Sequence, residues 1–165
     1  MKIALSIDPA YSKPDAFSIF NYEDKNATLM ECGLLEDPWR WELSKLFELY
    51  PIEYLFIESQ YMIMGRKGNP KTTIALAHHA GEVVGVTSGM GSHKAEYIEP
   101  WEWLTGFMKG RRFPARIRYM PAVVAITTRM YNLDEILKQY KLEQIEDICC
   151  SIQIGHFGMR KNQLI

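Results

Sequence analysis

Two short apolar runs that each end in a carboxylate place the strongest constraint on how this chain folds. The first covers Lys2–Ile7 and ends at Asp8, directly before a proline, and the second covers Glu53–Glu58. Runs of this length that stop at a proline or a polar segment are typical of buried β-strands. Between them, Pro38–Tyr50 carries its apolar residues along one helical stripe, with Asp37 as the expected N-cap. The pattern predicts two parallel strands joined by a helical crossover.

The remaining segments extend this pattern into a mixed α/β domain. Asp15–Tyr22 and Ala27–Leu34, separated by a polar turn, predict two strands that form an antiparallel meander with the first run. Lys94–Ile98 predicts a fifth strand. Further helices are predicted over Thr72–Thr87, Pro100–Phe107, Pro121–Tyr131, Asp134–Tyr140 and Glu143–Phe157. We therefore expect one domain over residues 1–165, with a central sheet of three antiparallel and then parallel strands, flanked by helices.

The composition excludes several classes of protein. Hydrophobic residues make up 47% of the chain and charged residues 24%, which supports a packed core and excludes wholesale disorder. No run of about 18 apolar residues occurs, so we expect no membrane span. Three cysteines, two of them adjacent at positions 149 and 150, make neither a disulfide framework nor a zinc ribbon. We expect a soluble, intracellular protein.

The net charge of −1 conceals blocks of opposite sign. Residues 1–58 hold 5 Lys or Arg and 11 Asp or Glu, whereas residues 59–133 hold 10 and 4. Two loops predicted over residues 59–71 and 108–120 carry most of the positive charge of the second block. These blocks predict a basic surface beside an acidic centre. Ordinary enzymes also show such blocks, so the charge pattern alone does not identify a ligand.

Three carboxylates are the candidates for chemistry. Asp8 and Glu58 end two strands that we expect to be neighbours, and the crevice beyond the carboxyl ends of parallel strands is where open α/β sheets bind ligands. Asp147, near the start of the last helix, can pack against the same crevice. Carboxylates without histidine or cysteine suit Mg²⁺ or Mn²⁺, and two such ions about 4 Å apart would clamp the attack of water on a phosphodiester. The alternative is that Asp8 caps a turn and Glu58 simply begins a loop.

Five segments in chain order carry a family resemblance. They are Ser6-Ile7-Asp8-Pro9-Ala10, the run from Leu55 to Tyr61, His79–Val86, Ile98–Gly106 and Asp147–Gly155. In this order they resemble the RuvC family of Holliday-junction resolvases. The resemblance implies an RNase H-like fold and a metal-dependent endonuclease that cuts four-way or branched DNA as a homodimer, with the 72–87 helix as the contact. It implies Mg²⁺ as cofactor, replaceable by Mn²⁺, and Asp8, Glu58 and Asp147 as the residues that hold the metal and orient the attacking water.

The closing motif departs from the family pattern, which places two acids three residues apart. One register puts Asp147 at the first acid and Cys150 at the second, and a thiol is a poor ligand for magnesium. The other register makes Asp147 the second acid and leaves Gln144 at the first. Glu143 and Glu146 lie close enough in helical spacing to substitute. Both registers stay open from the sequence, and the first one predicts a weakened nuclease.

The resemblance and the charge pattern together assign the DNA contacts. Tyr61 matches the family's aromatic residue that stacks on a base at the opened crossover, a contact that tolerates any sequence. Basic loops are common on protein surfaces, so it is the carboxylates beside them that make a DNA contact the favoured interpretation. The residues expected to contact phosphates are Arg66, Lys67, Lys71, Lys109, Arg111, Arg112, Arg116 and Arg118.

Three other interpretations compete with a junction resolvase. The first is another RNase H-like nuclease that cuts flaps or RNA–DNA hybrids. The second is a junction-binding protein that has lost its chemistry at Cys150. The third is one half of a sugar-kinase-like or actin-like ATPase, which is disfavoured because the glycine-rich phosphate loops of such proteins are missing. The short, degenerate motifs predict a divergent branch of the family, in the cytoplasm of a bacterial or phage-infected cell.

Overall fold

The computed structural model describes residues 1–59, 69–108 and 116–165, with all their side chains except those of residues 108 and 116–118. In this part of the chain, five strands form one mixed sheet in the order β3-β2-β1-β4-β5. Their bounds are β1 Ile3–Asp8, β2 Asp15–Glu23, β3 Asn26–Leu35, β4 Ile52–Glu58 and β5 Lys94–Ile98. Strands β1 to β3 pair antiparallel, and β4 and β5 continue parallel to β1. The predicted mixed sheet is confirmed.

Helices cover both faces of this sheet. Their bounds are α1 Trp39–Leu49, α2 Pro70–Thr87, α3 Pro100–Met108, α4 Arg116–Tyr131, α5 Asp134–Leu137 and α6 Leu142–Lys161. Helix α1 leads from β3 into β4, and α2 leads from β4 into the parallel strand β5, as predicted for the two crossovers. None of the helices in the described ranges has the length and apolar character needed to cross a bilayer.

Side chains alternate between the two sheet faces and so define two separate cores. One core lies between the sheet and helices α3, α4 and α6, and its largest members include Phe20 and Phe56. The other lies between the sheet and helices α1 and α2, and it is built on Leu5, Ile57 and Leu43. We call these two sides of the sheet the α6 face and the α2 face.

Helix α6 packs closely against the sheet because glycines face the strands. A Cβ atom at Gly155 would lie 2.5 Å from Ser6 Oγ, and one at Gly158 would lie 2.5 Å from the ring of Phe56. The close approach brings Ser6 Oγ within 2.7 Å of the Ser151 carbonyl, to which it donates. Ser18 Oγ lies 2.6 Å from Ser6 Oγ and therefore supplies the hydrogen of that second bond. The buried hydroxyls of Ser6 and Ser18 are thus both hydrogen-bonded.

Several predicted boundaries need correction. Asp37 is not the N-cap of α1, because the helix begins at Trp39 and the cap position falls on Pro38, with no side-chain hydrogen bond. Pro121 lies inside α4 rather than at its start. The helix begins earlier because Met120 and Val123 are both buried in the core of the α6 face, and this burial outweighs the one backbone hydrogen bond that proline removes.

Three of the basic residues that the sequence placed in loops lie in helices instead. Arg116 and Arg118 lie in the first turn of α4. Lys71 also belongs to a helix, since α2 begins at Pro70, where proline is favoured. Helix α6 extends four residues beyond the prediction, to Lys161, and α5 ends at Leu137. The other parts of the predicted loops, residues 60–68 and 109–115, lie outside the described residues.

Candidate active site

Asp8 and Glu58 stand side by side at the carboxyl ends of β1 and β4. These strands pair in parallel with Ile7 opposite Ile57, so the two carboxylates occupy the next position of the same register. Neighbouring strands lie about 4.8 Å apart, and residues two apart share a face. Asp8 and Glu58 therefore point to the same side as Ser6 and Phe56, which is the α6 face. The prediction that the strands ending at Asp8 and Glu58 are neighbours is confirmed.

Glu58 is held in place by an indole from helix α3. Its side chain lies in the interior, with 8% of the residue exposed, and Oε1 accepts a hydrogen bond of 2.8 Å from Trp103 Nε1. Trp103 is itself buried, so the bond is shielded from water and fixes the orientation of the carboxylate. A carboxylate removed from water to this extent is stabilised by hydrogen bonds and by neighbouring positive charge.

Asp147 approaches the same face of the sheet from helix α6. It lies one turn before Ser151, whose carbonyl contacts Ser6 in β1, and it is 9% exposed. Its Oδ2 atom forms an ion pair with the ammonium of Lys13. Lys13 belongs to the loop that joins β1 to β2, only five residues after Asp8. The third candidate carboxylate is therefore bound by a cation supplied by the loop that follows the first.

The loop of Lys13 is anchored by a buried carboxylate. Asp15, which is 3% exposed, accepts a hydrogen bond of 2.8 Å from the backbone N–H of Ala10 at Oδ1. Its other oxygen, Oδ2, lies 2.7 Å from His79 Nε2 of helix α2. Both oxygens of Asp15 are thus committed, one to the loop after Asp8 and one to the helix that follows β4. The side chain of Asp15 therefore connects the loop that follows Asp8 to helix α2.

The side chains at this site carry the oxygen ligands that a hard divalent cation prefers, but in the described residues they are not grouped as three ligands of one ion. Asp8, Glu58 and Asp147 offer only carboxylate oxygens, which Mg²⁺ prefers. Across residues 1–59, 69–108 and 116–165, however, no three His, Cys, Asp or Glu side chains are grouped so that they could hold one ion. Asp147 is paired with the ammonium of Lys13 instead. The assignment of these three carboxylates to metal binding stays a prediction.

Cys150, which one register aligns with the second acid of the closing motif, lies in the core. Cys150 is 2% exposed, and its sulfur contacts Met120 Sδ at 3.8 Å within the apolar cluster of the α6 face. Gln144, which the other register leaves at the first acid position, accepts from the Lys141 N–H at the start of the helix. Of the two possible substitutes, Glu143 is exposed and Glu146 is half-buried. In the register that aligns Cys150 with an acid, the position is therefore filled by an apolar packing residue.

Most of the predicted DNA contacts lie where no side chain is described. Lys71 is exposed in the first turn of α2, and its backbone N–H bonds the Asn69 side chain. Arg116 and Arg118 begin α4, and nothing is stated of their side chains. The others lie outside the described residues, namely Tyr61, Arg66, Lys67, Lys109, Arg111 and Arg112.

A cleft of about 930 Å³ opens on the α2 side of the sheet, next to the loop of Lys13. It is lined by Tyr11, Lys13, Trp39, Lys71 and His79, among others. The hydrogen bond to Asp15 raises the pKa of His79 above its usual value, although burial works in the opposite direction. Trp39 packs edge-on against the same imidazole, with ring centroids 5.2 Å apart.

Three contacts of the site, which involve Lys13, Trp103 and the pair of Asp15 and His79, were not predicted from the sequence. Lys13 is the one cation in the segment between Asp8 and Asp15, a signal that the chain does contain. Trp103 follows another tryptophan at a spacing of two, a pattern that indicates packing but does not identify Glu58 as the partner. The pair of Asp15 and His79 joins residues 64 positions apart and leaves no mark in local periodicity.

Comparisons with solved structures identify the fold. No protein-family model matches the chain, and neither does any curated protein sequence. Among solved structures, Thermus thermophilus RuvC in complex with a Holliday junction matches with a TM-score of 0.65 and 11% identity, over 96% of each chain. The fowlpox virus Holliday junction resolvase matches with a TM-score of 0.63 and 17% identity, over 96% of this chain and 99% of its own.

A third match is the yeast mitochondrial Holliday junction resolvase, with a TM-score of 0.59 and 11% identity, over 98% of this chain and 79% of its own. The shared architecture is the mixed five-stranded sheet with helices on both faces, and the matches run along nearly the whole chain. The chain therefore has the fold of the RuvC-like Holliday junction resolvases.

Proposed function

We propose that the protein is a structure-selective DNA endonuclease that cuts four-way or branched junctions by metal-dependent hydrolysis of a phosphodiester. The observation that carries this proposal is the meeting of Asp8 and Glu58 at the ends of adjacent parallel strands, on the face that α6 covers. The fold supports it, because the matching structures named above are of RuvC and of Holliday junction resolvases, and two of the matches contain junction DNA.

Different residues of the chain have different roles in this reaction. Asp8, Glu58 and Asp147 would hold Mg²⁺, or Mn²⁺ in its place, and such an ion stabilises charge on the phosphate and makes water a better nucleophile. Trp103 keeps Glu58 in one orientation through its N–H. Lys71 and the other basic residues would neutralise phosphates of the DNA backbone, a contact that positions the substrate and carries no sequence information. Selectivity then rests on the shape of the junction.

Cleavage of a labelled four-way junction in Mg²⁺ and in Mn²⁺ tests the proposal, with linear duplex, flap and RNA–DNA hybrid substrates beside it. We expect paired, symmetric nicks in the junction, and a loss of about 10³-fold or more in the Asp8→Asn variant. Asp24→Asn is the matched control, because it makes the same chemical change at an exposed turn between β2 and β3. Its activity should equal that of the wild type.

Two outcomes would contradict this function. Cleavage of flaps or hybrids without junction cleavage would identify a different nuclease of the same fold. Equal activity in the Asp8→Asn and wild-type proteins would show that the carboxylate pair does not carry the reaction.

A homodimer is part of the proposal, because a four-way junction presents two symmetric strands for cutting. Helix α2 supports it with an outward face that small residues leave flat. Among the described residues, a Cβ atom at Gly81 or Gly85 would meet nothing within 4 Å, and Ile74 on the same helix is 60% exposed. Small residues allow two helices to approach closely, so a second copy of this face is the partner we propose.

Sedimentation velocity tests this contact. Gly81→Trp should convert the dimer into a monomer, because the indole would stand between the two helices. Gly91→Trp is the control, since its Cβ also meets nothing within 4 Å but Gly91 lies in the loop after α2. A wild type that sediments as a monomer at all concentrations would contradict the dimer.

A second candidate function is junction binding without cleavage. The burial of Cys150 against Met120 favours it, because this thiol has neither the exposure nor the chemistry of a magnesium ligand. Tight junction binding with no nicks in any divalent ion would support this alternative. It predicts that Asp8→Asn leaves binding unchanged.

A further inference from the structure

We propose that Lys13 competes with the divalent cation for Asp147, so that the ion can bind this carboxylate only when the ammonium leaves it. This inference rests on the metal site of the proposed function. Its direct observation is the ion pair between Lys13 Nζ and Asp147 Oδ2, which joins the β1–β2 loop to helix α6 across 134 positions of sequence.

The two cations exclude one another at this oxygen. Asp147 Oδ2 is the atom that Lys13 contacts, and a metal ion bound at the same atom would stand within a few ångströms of the ammonium. Like charges at such a distance repel strongly where water is largely excluded, and the side chain of Asp147 is only 13% exposed. The energy of metal binding is therefore reduced by the energy needed to release Lys13.

The exposure of the two partners indicates which one moves. The side chain of Lys13 is 48% exposed, so its ammonium is easily rehydrated, whereas Asp147 sits in helix α6 against the sheet. Lys13 also lines the cleft on the α2 side of the sheet, which gives the released side chain open space. A nearly buried carboxylate needs a cation beside it in either state. Lys13 thus neutralises Asp147 before the ion does.

This role differs from that of a lysine that only contacts DNA. A lysine that binds phosphate would leave the affinity for metal unchanged when it is removed. A competing lysine makes a different prediction: its removal strengthens metal binding, although it takes away a group from the site. The direction of the change in metal affinity therefore separates the two roles.

Titration of the full-length protein with Mn²⁺, without DNA, tests the inference. Isothermal calorimetry and the paramagnetic resonance signal of free Mn²⁺ both report binding. Lys13→Met keeps the length of the side chain without its charge, and we expect its Mn²⁺ affinity to rise about three- to tenfold. Lys13→Arg keeps the charge and should resemble the wild type. The rise in Tm that Mn²⁺ causes should likewise be larger in Lys13→Met than in the wild type.

Two control variants fix the interpretation. Lys45→Met removes a lysine that is 40% exposed and paired with one carboxylate, Glu42, on the opposite side of the sheet. It should bind Mn²⁺ as the wild type does. In the Asp147→Asn background, Lys13→Met should no longer change the affinity for Mn²⁺, because the carboxylate for which the lysine and the ion compete has been removed.

Every outcome decides the question. Equal or weaker Mn²⁺ binding in Lys13→Met would overturn the inference, and so would an equal gain in Lys45→Met. If the wild type binds no Mn²⁺, binding by Lys13→Met alone supports the inference, and its absence there overturns it. Failure of junction cleavage contradicts the proposed function but leaves these binding results intact, so the two failures are distinguishable.

Discussion

Helices α6 and α2 use the same residue type for opposite purposes. In α6, Gly155 and Gly158 face the sheet, and a Cβ atom at either would lie 2.5 Å from a side chain of β1 or β4. In α2, Gly81 and Gly85 face outward, and a Cβ atom at either would meet no atom of the described residues within 4 Å. The first pair sets the distance between a helix and the sheet that carries the carboxylates. The second pair leaves a surface open.

The difference teaches that small residues at helical spacing do not reveal what they face. The stripe of Ala77, Gly81 and Gly85 indicates close helix contact, and within the described chain that face has no such contact. Glycines near the end of α6 occur at a spacing of three and are enclosed. Because periodicity gives only the angular position of a residue, the partner has to come from tertiary structure.

The largest expected loss of stability is at the glycines of α6, which the sheet encloses. Gly155→Ala should lower the free energy of unfolding by about 2 kcal/mol, because the new methyl group overlaps Ser6 Oγ and the ring of Phe20. Urea unfolding measures it. An unchanged midpoint would mean that α6 can move away from the sheet at little cost.

A smaller loss is expected where α3 holds the carboxylate on the same face. Trp103→Phe removes the N–H that Glu58 Oε1 accepts and should cost about 1–2 kcal/mol. It should also lower cleavage, since Glu58 loses its fixed orientation. Trp101→Phe is the matched control, because Trp101 is 56% exposed on the same helix. Equal losses in both variants would refute a special role for the bond to Glu58.

On the α2 face, the pair of His79 and Asp15 predicts a loss that depends on pH. Since the pKa of His79 is raised in the folded protein, its charge stabilises the fold fully below the ordinary value of about 6.5. This contribution disappears as the pH rises through the folded pKa. His79→Gln, which keeps a neutral donor, should therefore cost about 1 kcal/mol at pH 5.5 and less at pH 9. A difference that grows with pH would reverse the sign and contradict the argument.

The smallest expected effect lies on the open face and has the opposite sign. Gly81→Ala should raise the free energy of unfolding by about 0.5 kcal/mol, because alanine favours the helix and its methyl group meets open space. The measurement belongs at protein concentrations where the chain is monomeric. If stabilisation turns into destabilisation at higher concentration, a second copy lies on this face.

The sequence predicted those features that depend on one element or on adjacent strands. The mixed sheet, the two crossovers and the adjacency of the strands that end at Asp8 and Glu58 follow from the pattern of apolar runs. The ion pair of Lys13 with Asp147 was not predictable, because a loop residue meets a helix residue only after both have packed. The prediction of a helix start at Pro121 was wrong, because the burial of neighbouring residues in the core decides where α4 begins more than the preference of proline does.

The buried serine chain also limits how this molecule can change through evolution. Ser6 fills the space that Gly155 leaves, and its hydroxyl links Ser18 to the Ser151 carbonyl. A larger residue at position 155 therefore becomes tolerable only after position 6 has shrunk, and loss of the hydroxyl at position 6 leaves the hydroxyl at position 18 without its partner. Related chains should consequently vary at positions 6, 18 and 155 together rather than singly. Such covariation would report how closely α6 approaches the sheet in each of them.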